Sequence, residues 1–225
     1  MRSAPSAGGR DELAAIILVG GRSSRMGRPK PWLDVAGRSL LARVVERVLP
    51  WANHIVLVAA PGQDLPPLDE ARAGLARPQT FMVIHDDHPG EGPLPALALG
   101  LAATSAPWAV ALGCDAPLVR PGIIHRLAAE RDAAVDAVIP QWDGRPQPLV
   151  ALYRTTLAPT LIALVAGGER RLHAIATLPR VRLVPAEALR TLDPAGNSFR
   201  CVNTPDEYAA AVATWTAEHA ASRGA

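Results

Sequence analysis

Short apolar runs alternate along this chain with segments of helical periodicity. Residues 14–19 (AAIILV) form one apolar run that stops at Gly20 and Gly21, which is typical of a buried parallel strand. After Ser39, apolar residues recur at helical spacing until Pro50, and Ser39 is a suitable N-cap. The pattern predicts further strands at 54–60, 81–85, 108–113, 137–140, 149–153 and 181–184, and helices near 94–104, 121–130, 156–165 and 205–219.

This alternation predicts an α/β protein with a three-layer α/β/α architecture and a mainly parallel, Rossmann-like sheet. The chain shows no internal repeat and no clear linker, so we expect a single domain over residues 13–219. Residues 1–12 and 220–225 are expected to be flexible tails. In such sheets, ligands bind beyond the carboxyl ends of the strands, so functional residues should follow the strands.

Composition narrows the class of protein. The 225 residues are 49% hydrophobic and 20% charged, which suffices for a buried core. A net charge of +2 and an aromatic content of 4% argue against a nucleic-acid-binding protein. Residues 92–114 carry no charge, but Pro95 and Pro107 interrupt them, so a buried helix and strand are favoured over a membrane span. Cys114 and Cys201 form no CxxC motif, and we expect a cytoplasmic protein.

A glycine-rich, basic segment follows the first predicted strand. Gly20 and Gly21 allow a tight turn whose amides can approach a ligand, and Arg22, Arg25, Arg28 and Lys30 crowd the same segment. So much positive charge at a strand end favours an anion such as a polyphosphate. The segment does not match the Walker A motif. It does not match the dinucleotide-binding motif GxGxxG either, and this argues against a nicotinamide oxidoreductase.

A carboxylate follows another predicted strand directly. Asp115 comes after the apolar run 109–114, and Pro117 prevents a helix from starting at once. An aspartate at a strand end that faces a phosphate-binding turn suits a hard cation such as Mg²⁺, although turn and capping aspartates are also common. From these residues alone, a turn or capping role and a metal-binding role both stay open for Asp115.

The segment Gly20-Gly21-x-Ser23-x-Arg25-Met26-Gly27-x-x-Lys30 resembles the signature of NTP-dependent nucleotidyltransferases, and most of all the MobA-like molybdenum cofactor guanylyltransferases. The resemblance continues through residues 92–94 (GPL), 114–117 (CDAP), 168–171 (GERR) and 202–205 (VNTP). It covers about residues 13–210 and implies the nucleotide-diphospho-sugar transferase fold.

The resemblance also implies an activity and a set of site residues. The expected reaction moves GMP from GTP onto the terminal phosphate of a molybdopterin-type acceptor and releases pyrophosphate, with Mg²⁺ held by Asp115. Transient contact with cofactor-inserting proteins or molybdoenzymes would follow. Arg25, Lys30 and Asp115 are the expected catalytic residues, and Arg170, Arg171 and Asn203 the expected acceptor contacts. The expected nucleotide contacts are Leu18, Val19, Gly20, Gly21, Ser23, Arg25, Lys30, Asp86 and Asp115.

Two departures from the family pattern keep other base preferences open. Val58 replaces an asparagine that contacts the nucleotide in the guanylyltransferases, and Pro29 replaces an aspartate that often precedes the lysine. An apolar valine cannot make a hydrogen bond to a base. Transfer from CTP, or to a sugar phosphate, is therefore an alternative, and a non-catalytic nucleotide-binding protein is a second one.

Overall fold

The computed structural model describes residues 13–20, 27–68 and 80–221. Its strands are β1 (Leu13–Leu18), β2 (Asp34–Val35), β3 (Arg38–Ser39), β4 (His54–Ala59), β5 (Thr80–His85), β6 (Trp108–Gly113), β7 (Ala137–Trp142), β8 (Arg145–Pro146), β9 (Ala151–Arg154) and β10 (Val181–Val184). Its α-helices are α1 (Leu40–Val48), α2 (Pro93–Ala102), α3 (Pro121–Ala128), α4 (Ala158–Ala166) and α5 (Pro205–Ala221).

Within the described residues, eight strands form one sheet in the order β10-β7-β9-β6-β1-β4-β5, and β8 pairs with β7. Strand β1 lies parallel to both β4 and β6, and β5 lies parallel to β4. Strand β9 runs antiparallel to β6 and β7. The prediction of a mainly parallel sheet is confirmed.

Alternate residues of β1 point to opposite faces of the sheet, and each face has its own apolar core. Ile17 packs with the apolar faces of α1 and α3 on one side. Ile16 packs with α2 and α4 on the other side. Gly100 of α2 brings this helix close to β1, because a Cβ there would lie 2.5 Å from Cγ2 of Ile16. The predicted three layers are therefore present.

The sequence located most elements to within about two residues, and the differences lie in short elements. A hairpin of β2 and β3 turns through Ala36 and Gly37, both with positive φ. The helix predicted from residue 156 starts at Ala158, after the 3₁₀ turn Thr155–Leu157. No helix in the described ranges has the length and apolar character needed to cross a membrane.

The N-cap of α1 offers a direct test of this local structure. The hydroxyl of Ser39 accepts a hydrogen bond from the backbone N–H of Ala42 at 3.2 Å. We expect Ser39→Ala to lower the free energy of unfolding by about 1 kcal/mol, because that amide loses its partner. Urea denaturation measures the change. Ser39→Asp, which can accept the same bond, serves as the control and should stay near wild type; equal losses in both variants would contradict the capping role.

Candidate active site

The carboxyl ends of β1, β4 and β6 meet at one edge of the sheet. The backbone N–H groups of Val19 and Gly20 both donate to the carbonyl of Val58, at 2.8 and 3.2 Å. The N–H of Cys114 donates to the carbonyl of Leu18 at 3.0 Å. These bonds extend the parallel pairing one step beyond the strands, so the chain leaves the sheet at Gly20 and at Cys114 along the same edge.

Lys30, Asp115 and Asn203 come together at this edge from distant parts of the chain. The Nζ of Lys30 lies 3.3 Å from Oδ2 of Asp115 and donates to Oδ1 of Asn203 at 2.7 Å. The Lys30 and Asp115 side chains are only 17% and 22% exposed, so water screens this pair incompletely. Three residues selected from the sequence thus form one constellation.

Local features of the fold place these three side chains. Lys30 begins the 3₁₀ turn Lys30–Trp32, which is anchored by the buried ring of Pro31. Gly113 precedes the carboxylate, and a Cβ there would lie 2.5 Å from Oδ1 of Asp115. The N–H of Val202 donates to the backbone carbonyl of Asp115 at 2.8 Å, which brings the neighbouring Asn203 to the site.

Cys201 is a further side chain at this centre, and its role was not found from the sequence. Burial, followed by the charge of Asp115, raises the pKa of Cys201 to about 12. The thiol also hydrogen-bonds to the Asp115 carboxylate, which favours the protonated form. Burial raises the pKa of Cys114 as well. Both thiols are therefore neutral near pH 7, and neither is an activated nucleophile.

A pocket of about 570 Å³ opens beside the ends of β1 and β4. Gly20, Val58 and Asp86 lie in its wall together with Gly92 and Pro93 of the turn that begins α2. The buried Asp86 carboxylate accepts a hydrogen bond from the N–H of His88 through Oδ1 at 2.9 Å. The pocket thus offers one acidic side chain and a mostly apolar wall, which suits a nucleoside base.

A second pocket of about 380 Å³ lies on the other side of Pro93. It contains Asp115, Cys201, Gln147, Arg171 and His173. Arg171 is well exposed, whereas the guanidinium of Arg170 contacts Glu91 instead of this pocket. Only one of the two predicted arginines therefore faces the space beside Asp115.

The structure leaves part of the predicted phosphate-binding segment untested. Gly21, Ser23 and Arg25 fall outside the described residues. Their assignments stay predictions. At the described boundary of that segment, the Gln63 side chain donates to the carbonyl of Val19 at 3.2 Å and accepts from the N–H of Ala60 at 2.9 Å. Gln63 thus links the end of β1 to the end of β4. It lies in a loop, and no motif in the sequence indicated this role.

A divalent cation could take Asp115 as one of its ligands. In the part of the chain that the structure describes, no three histidine, cysteine or acidic side chains are grouped to hold a metal ion. Mg²⁺ is often bound by one or two carboxylates together with substrate phosphates and water. A single carboxylate beside Lys30, at the sheet edge where the predicted phosphate-binding segment begins, fits that mode of binding.

A mainly parallel sheet that brings Lys30, Asp115 and Asn203 together at its strand ends, with a basic glycine-rich sequence after its first strand, is typical of a nucleotidyltransferase. The MobA-like NTP transferase domain family matches residues 15–183, and the chain belongs to this family.

Known relatives agree with this assignment. The chain is 40% identical over 172 residues to a protein of Mycolicibacterium paratuberculosis named probable molybdenum cofactor guanylyltransferase, with 73% of this chain and 80% of that protein covered. Among solved structures, it is similar to molybdopterin-guanine dinucleotide biosynthesis protein A from Archaeoglobus fulgidus, with a TM-score of 0.72, 26% identity, and 90% and 98% of the two chains covered. A cytidylyltransferase of 2-C-methyl-D-erythritol 4-phosphate from Thermus thermophilus shares the fold, with a TM-score of 0.63, 20% identity, and 90% and 98% covered.

The contact between Cys201 and Asp115 can be tested by thiol reactivity. Since only the thiolate reacts, we expect Cys201 to be alkylated slowly by iodoacetamide at pH 8 in the wild-type protein. Asp115→Asn removes a negative charge that raises the pKa of Cys201, so alkylation should become faster at the same pH. Peptide mass spectrometry measures the rate at each cysteine. Asp206→Asn, a surface change at the start of α5, is the control; an unchanged Cys201 rate in Asp115→Asn would contradict the contact.

Proposed function

We propose that this protein transfers GMP from GTP to the terminal phosphate of a molybdopterin-type cofactor and releases pyrophosphate. The observation that carries the proposal is the Lys30–Asp115–Asn203 constellation. Its Asp115 lines the second pocket, which shares Pro93 with the base-sized pocket. The name of the mycobacterial relative, at 40% identity, supports both the base and the acceptor.

The reaction is an in-line displacement at the α-phosphorus of the nucleotide. A phosphate of the acceptor is already an anion, so no general base is needed to activate it. Catalysis then depends on positioning the two substrates and on balancing the charge that develops. Lys30 would contact the phosphates of the nucleotide, with the amides that follow Gly20 and with Arg25 as further predicted contacts.

Mg²⁺ is the cation that we propose for Asp115. It would supply charge neutralisation and orientation of the phosphate oxygens when it is bound. Asp115 offers carboxylate oxygens, the ligands that Mg²⁺ prefers. The Lys30 ammonium that now contacts this carboxylate also holds it in a fixed orientation at the sheet edge.

The base and the acceptor would occupy the two pockets on either side of Pro93. The Asp86 carboxylate can accept hydrogen bonds from the N1–H and the amino group of guanine, which cytosine cannot match as a pair. On the acceptor side, Arg171 offers a planar cation for a phosphate. Asn203 accepts a hydrogen bond from Lys30, and its role as an acceptor contact stays a prediction. Arg170 as an acceptor contact stays a prediction.

A CTP-dependent enzyme for the same type of acceptor is the second candidate. Val58, which is 1% exposed in the base-pocket wall, favours it because no polar side chain reads the base from that position. A cytoplasmic location and transient contacts with molybdoenzymes or cofactor-inserting proteins also belong to the proposal.

Asp115 provides the first test of the reaction. We expect Asp115→Asn to reduce pyrophosphate release on the order of 10²–10³-fold, because the neutral amide cannot hold the cation. The assay uses GTP, Mg²⁺ and molybdenum cofactor, and a thermal melt verifies the fold of the variant. Asp206→Asn, which changes an exposed carboxylate in the first turn of α5, should be fully active; undiminished turnover in Asp115→Asn would refute the metal role.

Lys30 and the choice of base can be tested together by nucleotide binding. We expect Lys30→Met to weaken binding of the preferred NTP, since a cation that would meet its phosphates is lost. Thermal shift with each of the four NTPs in Mg²⁺ identifies that nucleotide by the largest stabilisation. GTP is the expected answer. A larger shift with CTP would establish the second candidate, and unchanged affinity in Lys30→Met would refute the role of this lysine.

A further inference from the structure

Two turns meet between the base pocket and the acceptor pocket. We name residues 89–94, which lead into α2, the base-side turn, and residues 167–171, which follow α4, the acceptor-side turn. The N–H of Leu94 donates to the carbonyl of Arg170 at 3.3 Å. Gly92 has a φ of 107°, and a Cβ there would lie 2.7 Å from the same carbonyl oxygen. Only glycine lets the two backbones approach so closely.

The side chain of Arg170 reinforces this contact between the turns. Its Nε donates to Oε2 of Glu91 at 2.7 Å. Its Nη1 donates to the carbonyls of Val165, in the last turn of α4, and of Glu169, at 2.7 and 2.9 Å. A guanidinium near the end of a helix satisfies carbonyls that lack a partner within the helix. These contacts within the protein direct the Arg170 cation toward the base-side turn.

Glu169 orders the acceptor-side turn from within. Its Oε1 accepts hydrogen bonds from the N–H groups of Arg170 and Arg171, at 2.8 and 2.9 Å. The bond from Arg171, followed by that from Arg170, lowers the pKa of Glu169 to about 2, so the carboxylate stays charged at neutral pH. The turn therefore presents two neighbouring arginines in different directions, with Arg170 toward Glu91 and Arg171 at the acceptor pocket.

The contact lies where both pockets share a wall. Pro93 lines both of them, Gly92 lines the base pocket, and Arg171 lines the acceptor pocket. A displacement of either turn would therefore change the shape of both pockets. The Glu91–Arg170 pair itself is partly exposed, at 44% and 36%, and such pairs add little to the stability of a fold. Its position points to a role other than stability.

We infer that Arg170 is a positioning residue, which with Glu91 latches the acceptor-side turn to the base-side turn and holds the nucleotide pocket in its binding shape. This inference rests on the proposed function, because it assigns the two pockets to a nucleotide and an acceptor. The latch differs from a direct role of Arg170 in binding an acceptor phosphate, because it acts on the nucleotide before any acceptor is present.

The test measures GTP affinity in Mg²⁺ without acceptor, by titration of a fluorescent GTP analogue. We expect Glu91→Gln and Arg170→Gln each to raise the Kd for GTP about three- to tenfold, a change in the range found for residues that couple sites. The double variant should be no weaker than the worse single variant, because both changes break the same contact. The exchange E91R/R170E should recover part of the affinity. Thermal melts should move by less than about 4 °C, as expected for a partly exposed ion pair.

Arg180→Gln is the matched control. Arg180 also binds a carboxylate and a carbonyl, with Nε 2.8 Å from Oδ2 of Asp136 and Nη2 donating to Ala133 at 2.7 Å, and it lines neither pocket. Its loss should leave GTP affinity unchanged, which separates the latch from a general effect of removing a surface arginine.

The other possible results of these titrations lead to different conclusions about Arg170. If GTP affinity is unchanged in both single variants while Arg170→Gln alone raises the KM for the acceptor, Arg170 is an acceptor contact and the latch is refuted. Additive losses in the double variant would also refute it. If wild-type protein prefers CTP, the choice of guanine fails, and the same variants titrated with CTP still decide on the latch. Wild-type protein that binds none of the four nucleotides would overturn both.

Discussion

The ion pair between Lys30 and Asp115 is the interaction on which the site depends. One partner lies in a 3₁₀ turn near the start of the chain, and the other follows a buried central strand, 85 residues later. The parallel pairing of β1 with β6 puts the carboxyl ends of both strands together, and the two charges meet beyond those ends. The pair therefore links the central sheet to the chemistry. In the proposed reaction, the pair keeps each charge in place, the lysine for a phosphate of the nucleotide and the carboxylate for a cation.

The central part of the fold could be predicted because burial on both faces of a parallel sheet leaves a plain mark in the sequence. Uninterrupted apolar runs such as 14–19 and 108–113 have no polar face, and a glycine or an aspartate ends each of them. The residues that end these runs also indicated the position of the site, since ligands bind where such strands end. Asp115 was noticed in this way, whereas Lys30 was expected from the basic segment and the family signature, and Asn203 from the family resemblance. The structure brings the three side chains together.

Other features depend on tertiary contacts that leave no local pattern. Strand β9 is as apolar as its neighbours, so its antiparallel direction could not be read from residues 151–154. Glu91 and Arg170 are 79 positions apart, and in the sequence each looks like an ordinary charged residue on the surface. Cys201 looks like a small buried side chain until the fold sets it against Asp115. For Gly21, Ser23 and Arg25, the sequence alone supports the assigned roles.

The buried Val58 bears on how nucleotide preference can change in this family. Val58 lines the base pocket, and its carbonyl oxygen accepts hydrogen bonds from the backbone N–H groups of Val19 and Gly20. Under the proposed function, discrimination between bases falls to main-chain atoms of the sheet edge and to Asp86, whose carboxylate is bound to the neighbouring turn. Natural or laboratory evolution that substitutes one side chain at a time would then have few ways to change the preferred nucleotide. Insertions or deletions in the turn between β5 and α2 would alter the base pocket more readily than single substitutions along β4.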